Sequence, residues 1–435
     1  MRPSYPRGAT QTPHVRGRWQ ATVRVLFVNT YYYRRAGAEV HALDLAEQLR
    51  RAGHEVRFFA MRHPENLESA DSEYWVPEID FRSMNAAKNP ANAMRVLSRA
   101  IYSVTARKAL SRMLAEWRPD VAHVHNLHAH LTPSVIVELK RAGIPVVWTL
   151  HDYKLLCPNT TLVSHDDLCE RCRGSRFWQC TLHRCKKDSL AASMVATLEA
   201  EAHRLLQLPA RVDAFIAPSE FLRQKFIEFG WPAEKIIHMP NFNSQPLASK
   251  VEMPEGRRVL YSGQLVRAKG VMTLLEAVRH APGVELDIAG EGPLRPEIEE
   301  QIASWDSDGA KVRLHGRVGP DVLVRLIDDA RLVVVPSEWY ENSPYAVIEA
   351  FARARPVVAF RIGGLPELVV DEVSGITVSP GSPSEIASAI DRLLGEPDLW
   401  LRLARGALDS ATARDMGDYV IGIERVYSSV LRKQP

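Results

Sequence analysis

No apolar run in this chain of 435 residues approaches the ~18 to 20 residues that a membrane-crossing helix needs, which excludes a helical integral membrane protein. The first twenty residues carry Arg2, Arg7, Arg16 and Arg18 but no apolar core. They read as a disordered tail rather than a secretory signal, so a cytoplasmic protein is expected. A net charge of +3 is too small to argue for a nucleic-acid partner. No G-x-G-x-x-G follows the first strand pattern; Ala36-Gly37-Ala38-Glu39 stands there instead, and a dehydrogenase reading loses ground. Cysteine is scarce, with five residues, and all five fall between Cys157 and Cys185. A hydrophobic content of 46% and a charged content of 25% are those of a soluble globular chain, and the length suits two doubly wound domains.

The most informative stretch is S-E-W-Y-E-N-S-P-Y-A-V-I-E, Ser337 to Glu349, which follows the apolar run Leu332 to Val335. A buried strand therefore runs into a helix start. Ser343 suits the N-cap and Pro344 the first helical position, leaving the N–H groups of Tyr345, Ala346 and Val347 to face an anion. Glu341 and Glu349 flank that start eight positions apart. Carboxylates do not suit a phosphate, so their natural partners are the hydroxyls of a sugar and a ribose. A single Glu there would only complement the helix dipole; the pair together says more.

This stretch resembles the E-x7-E signature of the retaining nucleotide-sugar glycosyltransferases of family 4, with Pro356 to Val369 and Ser374-Gly375-Ile376 continuing that pattern. The likeness runs from Arg24 to about Leu394 and is carried further by a subgroup feature, a cysteine cluster after His151-Asp152-Tyr153. It implies an α/β GT-B fold: two Rossmann-like, doubly wound parallel-sheet domains facing a cleft. By the resemblance Glu341 holds the transferred sugar, Glu349 the ribose, His151 contacts the donor sugar and Lys269 the diphosphate. Gln264 replaces the family's arginine, so Arg267 is expected to share the neutralisation of donor charge. Gly37 keeps one of two family glycines, Gly292 lies in a strand-end loop near the nucleotide, and Arg317 is a candidate base contact. The resemblance implies retention of configuration by front-face displacement, with no cofactor for catalysis.

The chain divides by composition into the tail 1–20, a first domain 21–240, a Pro- and Ser-rich linker 241–256 and a second domain 257–410. The family resemblance sends 411–435 back onto the first domain as a helix. His125, Asn126, His128 and His130 follow one strand and His151-Asp152 another, where ligands of parallel sheets sit. Asp306-Ser307-Asp308-Gly309 spells a D-x-D but reads as a polar turn.

Two segments keep two readings each. Arg82 to Arg118 carries eight Lys or Arg against one acid at near-helical apolar spacing, so it either lies on an anionic membrane surface or packs on its own domain. The resemblance favours the membrane, because many relatives act on lipid-linked acceptors. Cys169, Cys172, Cys180 and Cys185, with Cys157, His165 and His183 as substitutes, offer four thiolates for a structural zinc; the alternative is reduced or redox-paired thiols. The expected partners are a nucleotide-sugar donor, a glycan or lipid-linked acceptor and the inner face of a membrane. A GT-B nucleotide-sugar epimerase and a non-catalytic zinc-containing membrane adaptor are the competing functions, the latter disfavoured by the joint presence of Glu341, Glu349 and Lys269.

Overall fold

The structure, a computed structural model, describes residues 22–78, 101–127, 130–281, 283–305 and 310–433. Short apolar runs, buried on both faces in the central strands, form two six-stranded sheets in which every pairing is parallel. The first contains β1 (Arg24–Val28), β2 (Glu55–Phe59), β3 (Val121–Val124), β4 (Val146–Thr149), β7 (Ala214–Ala217) and β8 (Ile236–His238) in the order β2-β1-β3-β4-β7-β8. A small antiparallel pair, β5 (Val163–Ser164) and β6 (Asp167–Leu168), lies in the cysteine segment. The second sheet contains β9 (Arg258–Ser262), β10 (Glu285–Ala289), β11 (Lys311–Gly316), β12 (Leu332–Val335), β13 (Val357–Phe360) and β14 (Gly375–Val378), ordered β11-β10-β9-β12-β13-β14. Both orders are those of doubly wound sheets, as the sequence led us to expect.

Parallel strands need crossovers, and helices supply them. Those used below are α1 (Gly37–Arg51), α2 (Val104–Glu116), α3 (Ser134–Arg141), α4 (Trp178–Leu182), α5 (Leu190–Leu205), α6 (Glu220–Glu228), α7 (Tyr345–Ala352) and α8 (Met416–Leu431). No strand or helix interrupts 239–257. At the far end, α8 places Tyr419, Ile423, Val426 and Tyr427 in one core with Val25 and Phe27 of β1 and Leu45 of α1. Its Glu424 meets His54 Nε2 at 3.0 Å, so the last helix shares the first core rather than the second.

Of the basic segment, 79–100 lies outside the described residues, Arg82, Arg95 and Arg99 included. The remainder is α2, capped by Ser103 and burying Ala106, Ala109, Leu110 and Met113. Arg107 reaches the buried Glu138 of α3 at 3.1 Å. Packing on its own domain accounts for this half. His128 and the 306–309 turn also lie outside the described residues.

Candidate active site

In an open parallel sheet the ligand crevice opens where the strand order reverses, beyond the carboxyl ends of the strands. Those reversals fall between β1 and β3 in one sheet and between β9 and β12 in the other. The loops that leave these four strands carry most of the residues singled out above. After β9 comes the loop to Gly270, whose φ of +68° suits glycine, and whose Cβ would meet the Pro336 carbonyl oxygen at 1.7 Å. This close approach seats Lys269 against the loop that leaves β12.

There the Glu341 carboxylate is buried at 6% exposure, and its Oε1 accepts from Lys269 Nζ at 2.5 Å, Ser337 Oγ at 2.6 Å and Trp339 Nε1 at 2.8 Å. Lys269 also stands 5.0 Å from the centre of the Trp339 ring. Burial alone would raise the carboxyl pKa; the Lys269 charge and the three donors outweigh it, so Glu341 stays below the ordinary carboxylate range. Glu349, half-buried on α7, has no such set of donors. Burial, with Asp44 of α1 adding like charge, pushes it up to about 7.

The helix start differs from the sequence expectation. Helix α7 begins at Tyr345, and Pro344 (φ −69°, ψ 128°) occupies the cap position. Ser343 precedes a proline, which disfavours helical geometry there. Its carbonyl accepts from Asn241 Nδ2 at 3.1 Å, while its own buried hydroxyl has no hydrogen-bond partner. Val347 N–H is taken by the Pro344 carbonyl at 3.2 Å, which leaves Tyr345 and Ala346 as the first-turn donors.

Several contacts bring the two halves together over this start. The Tyr345 ring lies 3.2 Å from where a Cβ on Gly37 would stand, and the Tyr345 hydroxyl meets His41 Nδ1 at 3.0 Å. Asn342 accepts from Ser219 Oγ at 2.7 Å and donates to the Leu150 carbonyl at 3.3 Å. Glu367 accepts the Glu220 and Phe221 amides at the start of α6, at 2.7 and 2.6 Å. Arg317 donates to the Arg34 carbonyl at 3.2 Å. Arg267, expected to share the donor charge, pairs with Glu297 at 2.9 Å, both side chains being exposed. Gly292 serves backbone packing, because a Cβ there would lie 2.4 Å from the Leu265 carbonyl oxygen.

On the first-domain side, His151 Nε2 meets His125 Nδ1 at 2.9 Å with the rings stacked, and Asp152 accepts the Lys154 amide at 2.8 Å. His125 stacks in turn on His123 at 4.4 Å, and His41 lies 5.2 Å from His151. His123 is fixed by Tyr427 and Thr149 at 2.7 and 2.8 Å. Burial lowers the pKa of all three inner rings, His123 to about 3 and His41 and His125 well below the ordinary value, with neighbouring imidazoles adding to the effect. The sequence reading missed His41 and His123, one in a helix and one inside a strand, which the fold brings together. Tyr153 adds a buried hydroxyl without a hydrogen-bond partner, which burial and the nearby Glu341 charge hold well above the ordinary pKa.

The five cysteines are free thiols. Cys172 and Cys180 pack with Phe177 and Ala200 in a small apolar cluster that Cys185 borders. Among the described residues no three His, Cys, Asp or Glu side chains are grouped so as to hold a metal. Burial pushes Cys180 up to about 12 and Cys172 higher still, which favours neutral thiols.

Two family models match the chain: one described as Glycosyltransferase Family 4 over residues 35–242, and one described as Glycosyl transferases group 1 over residues 256–396. The alpha-D-kanosaminyltransferase of Streptomyces kanamyceticus is 28% identical over 294 residues, 65% of this chain and 71% of that protein. An uncharacterized glycosyltransferase of Methanocaldococcus jannaschii is 27% identical over 372 residues, 83% of this chain and 85% of that protein. Among solved structures, Anabaena HepE in complex with UDP-glucose shares the fold with a TM-score of 0.62 at 19% identity, over 94% of this chain and 100% of that one.

Proposed function

The chain belongs to the glycosyltransferases of the family 4 and group 1 type with a GT-B fold, and from that premise we propose that it moves a sugar from a nucleoside-diphosphate donor to an acceptor with retention of configuration. The observation that carries the site assignment is the buried Ser343 hydroxyl without a partner, next to the Lys269–Glu341 pair at the start of α7. A buried polar atom left unpaired costs free energy, and a donor phosphate oxygen would satisfy it. Lys269 and the Tyr345 and Ala346 amides meet the charge that builds on the leaving diphosphate.

Glu341 acts on the sugar. Three donors already crowd one of its oxygens and depress its pKa, which makes it a weak nucleophile but a fixed negative charge. Such a charge favours an oxocarbenium-like transition state without forming a covalent bond, in keeping with front-face displacement. Glu349 accepts from the ribose, and its raised pKa makes that contact depend on pH near neutrality. His151, steadied by His125, presents its imidazole to the sugar. The acceptor is a glycan or a lipid-linked sugar in cell-surface polysaccharide or glycolipid assembly, and the sugar moved is a hexose.

Mass spectrometry of the protein incubated with a panel of nucleotide-sugars should show release of nucleoside diphosphate from at least one, and labelled sugar should appear on an added acceptor. An epimerase would return labelled free sugar or an isomerised donor, and a non-catalytic adaptor would bind no nucleoside diphosphate; either result overturns the proposal.

A further inference from the structure

Six of the thirteen large apolar side chains most exposed among the described residues fall between Trp178 and Leu205: Trp178, Leu182, Leu190, Met194, Leu198 and Leu205. Their exposures run from 47% for Met194 to 74% for Leu205. At about 100° per residue, the four on α5 share an arc of roughly 80°. The opposite face of α5 buries Ser193, Ala196, Ala200 and His203. Helix α4 lies along α5, joined through the Thr181 and Thr197 hydroxyls at 2.8 Å, and Thr197 also donates to the Phe177 carbonyl. Trp178 and Leu182 therefore extend the same stripe. Contiguous exposed apolar surface of this kind marks an interaction site on an otherwise soluble protein.

Its charge setting identifies the partner. Between Arg171 and Asp188 six Lys or Arg stand against one acid, and Arg176, Arg184 and Lys187 are exposed beside α4. Within the α5 arc the one acid is Glu201, which pairs with Arg204 at 2.6 Å. Leucine with an interfacial tryptophan, edged by cations, is the composition of a helix that lies in the headgroup region of an anionic bilayer. A protein partner of acidic surface would match the cations but not the long Leu and Met side chains left at half exposure.

The face is also one step from the cleft. Behind it lies a cavity of about 440 Å³ lined by Lys154, Leu155, Phe177, His203, Leu208 and Trp231, among others. Lys154, Leu155 and His203 also line a smaller cavity that holds His125, His151 and Asp152.

We propose that the face formed by α4 and α5 docks on an anionic lipid bilayer. The apolar stripe enters the acyl boundary while Arg176, Arg184 and Lys187 meet the headgroups. This surface is distinct from the Arg82–Arg118 segment, and it does not rest on the donor-site reading.

The test is flotation of the full chain with vesicles of equimolar phosphatidylglycerol and phosphatidylcholine, against vesicles of phosphatidylcholine alone. Wild type should float with the anionic vesicles at low salt. The triple variant Leu190→Ser, Met194→Ser, Leu198→Ser should lose about tenfold or more in vesicle affinity. Circular dichroism and nucleoside-diphosphate affinity, unchanged in the variant, would show that it folds. Wild type that ignores anionic vesicles overturns the proposal. So does a triple variant that floats as wild type does, which would leave the cations alone at work. A wild-type dimer that the triple variant dissociates, with no vesicle binding, would make the face a contact between copies and equally overturn it.

Discussion

The two sides of the cleft occupy equivalent positions, at the carboxyl ends of parallel strands beside a reversal of strand order, yet they treat charge in opposite ways. On the second-domain side a buried carboxylate keeps its charge because Lys269, Ser337 and Trp339 converge on one oxygen. On the first-domain side four imidazoles cluster, His123, His125 and His151 stacked and His41 edge-on to His151, and the inner three are held neutral by burial. Burial pushes both sides toward their neutral forms, and the charge survives only where a cation and hydrogen-bond donors converge, as on Glu341. A cleft charged and paired on one side, and neutral and aromatic on the other, suits an anionic donor on the first and an uncharged sugar on the second.

The contrast breaks most directly at Lys269. Lys269→Ala should leave Glu341 as a buried charge without its cation, costing on the order of 3 to 5 kcal/mol of stability, and should weaken nucleoside-diphosphate binding about tenfold or more. Calorimetric affinity equal to wild type would remove Lys269 from the donor site. Glu341→Gln in the same background should recover part of the lost melting temperature but none of the transfer activity.

The neutral side makes its own claim. Because His41, His123 and His125 titrate lower in the folded chain than in the unfolded one, the unfolded state binds more protons below about pH 6.5. Stability should therefore fall as pH drops from 7 toward 5, and His123→Gln should flatten that slope in thermal melts. An unchanged slope would mean that the imidazoles charge in place.

Glu349 supplies a third, intermediate case. Its folded value of about 7 against an ordinary 4.5 means that its contribution to stability is greatest below pH 4.5 and is lost as pH rises through 7. Glu349→Gln should then raise the melting temperature at pH 8 more than at pH 5. Donor affinity should rise with pH through 7 in wild type and stay flat in the variant, as read by titration with a nucleoside diphosphate. The smallest effect belongs to the cysteine cluster. Cys172→Ser should cost about 1 to 3 kcal/mol by placing a hydroxyl in an apolar setting, with donor affinity unchanged in the same titration.

The two parallel sheets were legible in local pattern, because strands buried on both faces must be near-continuous apolar runs: the run Leu332 to Val335 and the run Val121 to Val124 are strands with those bounds. The sequence also brought Glu341, Ser343 and Glu349 into view, since a strand end, a proline-marked helix start and flanking carboxylates are local patterns, and the family resemblance added Lys269. Tertiary structure decided the rest. Arg267 pairs with Glu297, thirty residues on, a contact that no local pattern announces. Ser343 looked like a cap, but the chain turns its hydroxyl inward and leaves it unpartnered. The cluster of His41, His123, His125 and His151 joins a helix, a strand and two loops that leave strands, and the lowered pKa of His41, His123 and His125 arises only from what surrounds them. Periodicity reports which face of an element is apolar; only the packed chain settles whether another element covers that face, as on α2 and α8, or leaves it bare, as on α5.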